Sequence, residues 1–225
     1  MRKAAVVLGC LLMFVLMDTV LGAAEIQYTP EQEFLFNILK TRRTVRKYKP
    51  TAVPKEHLLK ILDAARMAAT AGNQQPWKFL VVQDQEKLAR LRAETLAGAL
   101  KAIEEREKTL NQKLDAAKEN ARKYYEGILS APVYVAVLVD TKATYPDFIL
   151  YDGTLAAGNL MLAARALGYG TAFLTSAIPE DKLRAFLKLP DQYKLICFTP
   201  IGVPEEWPPP PPKKPLEEVV VFESF

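Results

Sequence analysis

Histidine and cysteine are nearly absent from this chain of 225 residues. The single histidine, His57, lies in a helical pattern, so neither a histidine-based catalytic triad nor a multi-histidine metal site is expected. Of the two cysteines, Cys10 belongs to an apolar N-terminal run and Cys197 to Leu195-Ile-Cys-Phe. Once the N-terminal run is removed no internal disulfide is possible, and Cys197 is expected to be a buried thiol. A dominant charge is also missing: 30 Lys and Arg against 26 Asp and Glu give +4, without the basic patch and interleaved aromatics of a nucleic-acid binder. Gly168-Tyr-Gly170 lacks a third glycine and stands between a helix pattern and a following strand, the reverse of a dinucleotide-binding loop.

The N-terminus opens with Met1-Arg-Lys, continues through an apolar stretch from Ala4 to Leu21, and reaches small residues at Gly22-Ala23-Ala24. This order predicts a signal peptide over residues 1–24 and an exported protein, periplasmic or extracytoplasmic. A retained membrane anchor is the alternative, weakened by Asp18 inside the run. Val-Leu-Gly-Cys10 faintly suggests a lipid-attachment box but comes too early for a full hydrophobic region before it. Removing residues 1–24 takes away Arg2, Lys3 and Asp18 and leaves a net charge near +3. The remainder, half hydrophobic in composition, is enough for one well-cored domain over residues 33–222, without internal repeats.

Apolar periodicity predicts a helix over 31–43 (Phe34, Leu35, Ile38, Leu39), and a second from Pro54 that runs to Gly72. Residues 78–83 and 133–140 read as strands, 85–128 as solvated amphipathic helices, and 150–167 as a helix apolar on most faces and hence buried. A strand over 171–175, a helix over 180–187 and a strand over 194–202 follow. Trp207 and the five prolines of 208–212 form a stiff polyproline spacer, and 216–222 resumes a strand pattern.

Two segments carry chemistry. In Thr41-Arg-Arg-Thr-Val-Arg-Lys-Tyr48 three guanidiniums surround the Thr44 hydroxyl, a donor set that suits a phosphate or a polarised carbonyl because Arg offers a planar fork that keeps its charge. Thr70-Ala-Gly-Asn-Gln-Gln-Pro-Trp77 adds amide side chains and backbone donors, the groups that read the edge of an aromatic heterocycle.

Together "RRTVRKY" and "AATAGNQQPWKF" resemble the nitroreductase family of FMN-dependent oxidoreductases, whose corresponding elements read Arg-Arg-Ser-Val-Arg and roughly Pro-Ser-x-x-Asn-x-Gln-Pro-Trp. "YDGTLAAGNLMLAARALGYGTAFLTS" (151–176) and "PKKPLEEVVVF" (212–222) agree with its later segments in the right order. The resemblance implies an α+β fold with a central, mostly antiparallel sheet flanked by helices. It also implies a homodimer with helix 150–167 at the subunit interface and a final strand swapped onto the partner's sheet.

Carried over residue by residue, the resemblance places Arg42, Arg43, Thr44 and Arg46 on the FMN phosphate and the pyrimidine end of its ring. Arg42 is assigned to phosphate and Arg46 to the N1–O2 edge. Thr70, Asn73 and Gln75 match the family's serine and amides, with Ala69 in place of its proline. The backbone at Thr175 and Ser176 matches the segment facing flavin N5 and O4. Lys213 takes the place of a C-terminal arginine, giving charge without the fork. Trp77 is expected to pack in the core rather than stack on a ring. Since the flavin carries the chemistry, no catalytic side chain and no metal is expected, although Tyr124, Tyr125 and Tyr145 could shape an acceptor pocket.

The implied activity is ping-pong transfer of reducing equivalents from NAD(P)H, or another donor after export, to an electron-poor acceptor such as a nitroaromatic or quinone. Reductive dehalogenation and flavin fragmentation are alternatives within related folds, separated by the divergent 85–128 region. Outside the enzyme class stands a non-catalytic flavin-binding or interaction protein, with a solvated basic turn and a docking arm.

Overall fold

A single apolar strand, Val133–Asp140, organises the fold, because its two faces enter two different cores. The computed structural model describes residues 27–110 and 114–224, so the predicted signal segment lies outside the described residues. In chain order they form α1 (Pro30–Thr41), α2 (Lys55–Ala65), β1 (Trp77–Val82), α3 (Gln85–Leu110), α4 (Leu114–Ile128), β2 (Val133–Asp140), α5 (Ile149–Ala166), β3 (Gly170–Thr171), α6 (Glu180–Leu187) and β4 (Tyr193–Gly202). Short 3-10 turns occupy Ala71–Asn73, Pro146–Phe148 and Leu216–Glu218. The sheet has four strands in the order β1-β2-β4-β3, and every neighbouring pair is antiparallel.

Side chains alternate across a strand. Val133, Val135, Val137 and Val139 therefore share one face and pack with Leu58, Ile61 and Ala65 of α2 and Ala157, Leu160 and Ala164 of α5. Tyr134, Ala136 and Leu138 point the other way, among Leu88 and Leu91 of α3, Leu183 of α6 and Phe198 of β4. Burial on both faces explains why β2 reads as a continuous apolar run. In β4 the register slips beside Val137 and Leu138, leaving Ile196 as the extra residue. The carbon a side chain would add at Gly153 of α5 would stand 2.5 Å from Ile196 Cγ1, so glycine is what lets the buried helix lie this close to the sheet.

The described residues divide into two units, one ending at Asn37 and the other beginning at Ile38. Within the first, Thr29 and Gln32 form a reciprocal capping box at the start of α1, at 2.9 and 3.3 Å, and Tyr28 meets Phe36 edge-on. The second holds the sheet and all elements from α2 onward. No helix of the described residues is long and apolar enough to cross a membrane.

Three expectations change. The second helix ends at Ala65 rather than Gly72: Arg66 N–H still bonds Leu62 O, but Met67 and Ala68 bond only three residues back, and Ala71 N–H turns to the Asp152 carboxylate. The strand predicted over 171–175 pairs only at Gly170–Thr171, with one further bond where Phe198 N–H donates to Leu174 O. The closing strand predicted over 216–222 is a 3-10 turn followed by irregular chain. Its hydrogen bonds stay local, from Glu218 to Pro215 O and from Val219 and Val220 to Leu216 O, leaving Val219–Phe222 side chains exposed.

The charged region between β1 and β2 is a helical pair, α3 against α4, with exposed ion pairs such as Arg90–Glu94 at 3.7 Å and Lys123–Glu119 at 3.3 Å. Each contributes only about 0.3–0.5 kcal/mol. Cys197 is fully buried with Sγ 3.2 Å from Thr199 Oγ1, and burial pushes its thiol up to about 12. We predict that Cys197 resists iodoacetamide in the native protein at pH 8 and is alkylated in denaturant, as read by peptide mapping; rapid native labelling would place it at the surface instead.

Candidate functional site

Three guanidiniums within five residues repel one another, so the turn carrying them has to be held by something other than the charges. It is held by two of its own residues that turn inward. Val45, 1% exposed, and Tyr48, 2% exposed, enter the second core, while Arg46 and Lys47 between them remain outside. Burying each of those apolar side chains is worth roughly 1.5–3 kcal/mol.

Backbone bonds complete the anchoring. Val45 N–H donates to Thr171 O at 2.9 Å, and Lys49 N–H to Val203 O at 2.8 Å. Tyr48 O–H donates to Val45 O at 2.6 Å, and its N–H bonds Ser130 Oγ at 3.0 Å. Burial pushes the Tyr48 phenol well above its ordinary range, so this hydroxyl remains a donor at every working pH. Two glycines admit the turn: an added carbon at Gly127 would lie 2.6 Å from Arg46 O, and one at Gly170 2.5 Å from Val45 Cγ2.

Arg43 closes the end of α1. Its Nη1 donates to Lys40 O and Arg42 O, both at 2.7 Å, while its Nε is buried without a partner among the described residues. Such a charged donor is costly to leave unsatisfied. Arg42, Arg43, Thr44 and Arg46 line a cleft of about 540 Å³ together with Lys40 of α1 and Lys213, which returns from the far end of the sequence; Pro208, Pro209 and Pro211 form a wall. Among the described residues five cations and no carboxylate border it, a donor set that fits a phosphate dianion. Sequence reasoning missed Lys40, whose only signal was its position one turn before Arg43 on the helix end.

Thr70, Asn73 and Gln75 form a separate cluster. Gln75 N–H bonds Thr70 Oγ1 at 3.2 Å, and its amide nitrogen bonds Asn73 Oδ1 at 3.1 Å. Asn73 and Gln75 both adopt left-handed backbone, φ 55° and 51°, at a cost of order 1–3 kcal/mol each. Asp152 holds this strained loop from α5. Only 3% exposed, it accepts Ala71 N–H at 3.0 Å and the Gln74 amide at 2.7 Å, while Gln74 also clamps the Tyr145 main chain. Neither Asp152 nor Gln74 was singled out from sequence, because a carboxylate on an apolar helix shows its partner only in three dimensions.

Thr175 and Ser176 are exposed at the end of the segment after β3, and among the described residues neither backbone N–H has a partner. No hydrogen bond of the described residues joins these two, or the 70–75 loop, to the arginine turn. Trp77 opens β1 and lines a different groove of about 680 Å³ with Leu59, Leu62 and Phe79. Lys60, Arg66 and Lys78 also border it, but so does the Asp63 carboxylate, with which Arg66 pairs at 2.6 Å, so this larger groove suits an anion less well than the all-cationic cleft. His57 is engaged with the Tyr169 hydroxyl at 2.7 Å, and no group of three or more metal-ligating side chains occurs among the described residues.

A basic turn pinned to a short sheet-edge strand, and separately a strained amide loop, on an antiparallel α+β core define a class of protein. A sequence profile of the nitroreductase family matches residues 39–203. The chain belongs to the nitroreductase family. It is 30% identical over 175 residues to a Methanothermobacter thermautotrophicus protein bearing the name NADH dehydrogenase/NAD(P)H nitroreductase, covering 76% of this chain and 77% of that one. It is also 30% identical over 200 residues to iodotyrosine deiodinase from Thermotoga neapolitana, covering 84% and 97%. Among solved structures, that of oxidised iodotyrosine deiodinase with FMN and 3-iodo-L-tyrosine superposes with a TM-score of 0.68 at 25% identity, covering 85% of this chain and all (100%) of that one.

Replacing Asp152 by Ala should leave the Ala71 N–H without its acceptor and the Gln74 amide with Tyr145 O alone, and cost about 1–3 kcal/mol. We predict lost hydrogen-exchange protection at Ala71 in Asp152→Ala and partial retention in Asp152→Asn, which keeps one carbonyl acceptor; equal protection in all three proteins would contradict the clamp.

Proposed function

We propose that the protein is an FMN-dependent oxidoreductase that passes reducing equivalents from NAD(P)H, or another donor, to an electron-poor acceptor such as a nitroaromatic or quinone. One observation carries this: Lys40, Arg42, Arg43 and Arg46 are joined by Lys213 from the far end of the sequence on one cleft that, among the described residues, no carboxylate lines. The similarity to FMN-containing iodotyrosine deiodinase gives the anion an identity.

When bound, FMN supplies the redox chemistry. The chain's own residues bind and orient it. Arg42 and Arg43 hold the phosphate with Lys213 as a point charge, and Thr44 adds a hydroxyl. Arg46, exposed and free of the helix-end carbonyls that occupy Arg43, is placed toward the pyrimidine edge, where a cation stabilises negative charge on the reduced ring. Asn73 and Gln75 present amides to the heterocycle, and the Thr175 and Ser176 N–H groups supply donors for N5 and O4. No side-chain acid or base is required, since water furnishes the protons.

The proposal includes a homodimer. Among the described residues the outer edge of β1 pairs with no strand, Val219–Phe222 side chains are exposed beyond the proline arm, and α5 carries exposed Leu150, Tyr151 and Leu155. These features support a C-terminal strand exchanged onto the partner's sheet, with α5 at the interface. Export by the N-terminal segment is proposed from its charge and apolar pattern. Dehalogenation of a halogenated phenol is the second reading, favoured by the similarity to iodotyrosine deiodinase over 97% of that protein.

Purified protein, mixed with FMN and desalted, should keep the flavin spectrum and bleach with NADPH under anaerobic conditions. Retained flavin that does not bleach would point to a different donor, and colourless protein would refute flavin binding. Arg42→Ala should weaken FMN binding by roughly 1.5–3 kcal/mol, about 10- to 150-fold, in a fluorescence titration. Undiminished affinity in that variant would remove Arg42 from the phosphate. Turnover of a nitroaromatic and of a halotyrosine compared side by side would decide between the two readings.

A further inference from the structure

We infer that Arg165 and Trp207 form a latch that fixes the proline arm against the cationic cleft, and that preference for a phosphorylated over an unphosphorylated flavin depends on it. The inference rests on the flavin reading above. Arg165 sits in the last turn of α5, with its guanidinium carbon 4.2 Å from the centre of the Trp207 ring. From the same side chain Nε donates to Thr41 O at 3.3 Å. One residue thereby joins the end of α5, the end of α1 immediately before Arg42, and the root of the C-terminal arm.

What lies beyond Trp207 gives the contact its reach. Five consecutive prolines, residues 208–212, have φ locked near −65° and no N–H groups, so the arm cannot fold back through hydrogen bonds of its own. A polyproline segment advances about 3.1 Å per residue and holds its direction, so orienting its first residue orients its far end. The arm's far end is Lys213, and Pro208, Pro209 and Pro211 wall the cleft that Lys213 shares with the arginines. An arginine in place of Lys213 could hold phosphate through its own bidentate geometry. A lysine ammonium on a flexible stem has no such fork, and its contribution depends on being delivered already ordered.

Arg165 and Trp207 are therefore positioning residues. Trp207 is 40% exposed, so it is not a core side chain whose truncation would collapse the fold. The latch acts on the phosphate alone, which separates it from general stabilisation.

The test is a set of FMN and riboflavin affinities for the wild-type protein, Trp207→Ala, Lys213→Ala and the double variant, with Trp207→Leu and Trp207→Phe as bulk-preserving controls. A cation–aromatic contact of this kind predicts FMN binding weakened about 3- to 30-fold in Trp207→Ala, with riboflavin affinity unchanged. The Leu variant should behave like Ala, the Phe variant should recover part of the loss, and the double variant should bind FMN no more weakly than the more affected single one. Equal loss of both ligands in Trp207→Ala, or strict additivity with Lys213→Ala, would overturn the latch. A wild-type protein that prefers FMN, with Trp207→Ala unaffected, overturns the latch and leaves the cofactor reading standing. A wild-type protein with no preference between FMN and riboflavin overturns both.

Discussion

Burial of Val45 and Tyr48 is the constraint on which the site depends. Arg42, Arg43 and Arg46 would separate in an unstructured chain, since like charges a few ångströms apart gain nothing from proximity. The fold overrides that repulsion by driving the residues between and beside them into the core and bonding their backbone to Thr171 and Val203. The arginines are thus in place before any anion arrives, and an anion encounters donors that need no rearrangement. The small sheet-edge strand, Gly127, Gly170 and the buried Tyr48 hydroxyl all serve this one turn.

The same economy shapes the rest of the molecule. A strand apolar on both faces supports two cores, one that seats α2 and α5 and another that seats the basic turn. From the first core Asp152 reaches out to hold the strained 70–75 loop, and from the end of α5 Arg165 reaches the root of the proline arm. The buried helix therefore positions two of the four segments that carry candidate site residues. Changes at either end of α5 are expected to be felt at the site without touching a ligand.

Much of this was legible in the sequence because strong local signals agreed with the tertiary outcome. The 133–140 and 180–187 segments are bounded as their patterns indicate, and the basic turn follows a helix whose apolar stripe is short and clear. The less legible parts are those where a distant group wins over a local preference. Alanines 68 and 69 favour continued helix, yet Asp152 draws the Ala71 N–H out of the ladder. Valines 219–221 favour a strand, yet among the described residues the segment bonds only locally. The prolines read as a spacer, and their role as a cleft wall required seeing Trp207 stacked on Arg165. Lys40 joined the cation cluster only through the helix end that Arg43 closes.

On the proposed reading, the cationic cleft holds the flavin phosphate as a dianion. The most direct measurement is a ³¹P NMR pH titration of FMN bound to the protein. Phosphate monoesters lose their second proton near pH 6, and cations around the group favour the dianion and lower that value. The predicted result is a bound ³¹P resonance that stays constant as pH falls from 8 through 6, while free FMN shifts. A bound resonance that titrates near 6 along with free FMN would put the phosphate in solvent and contradict the account.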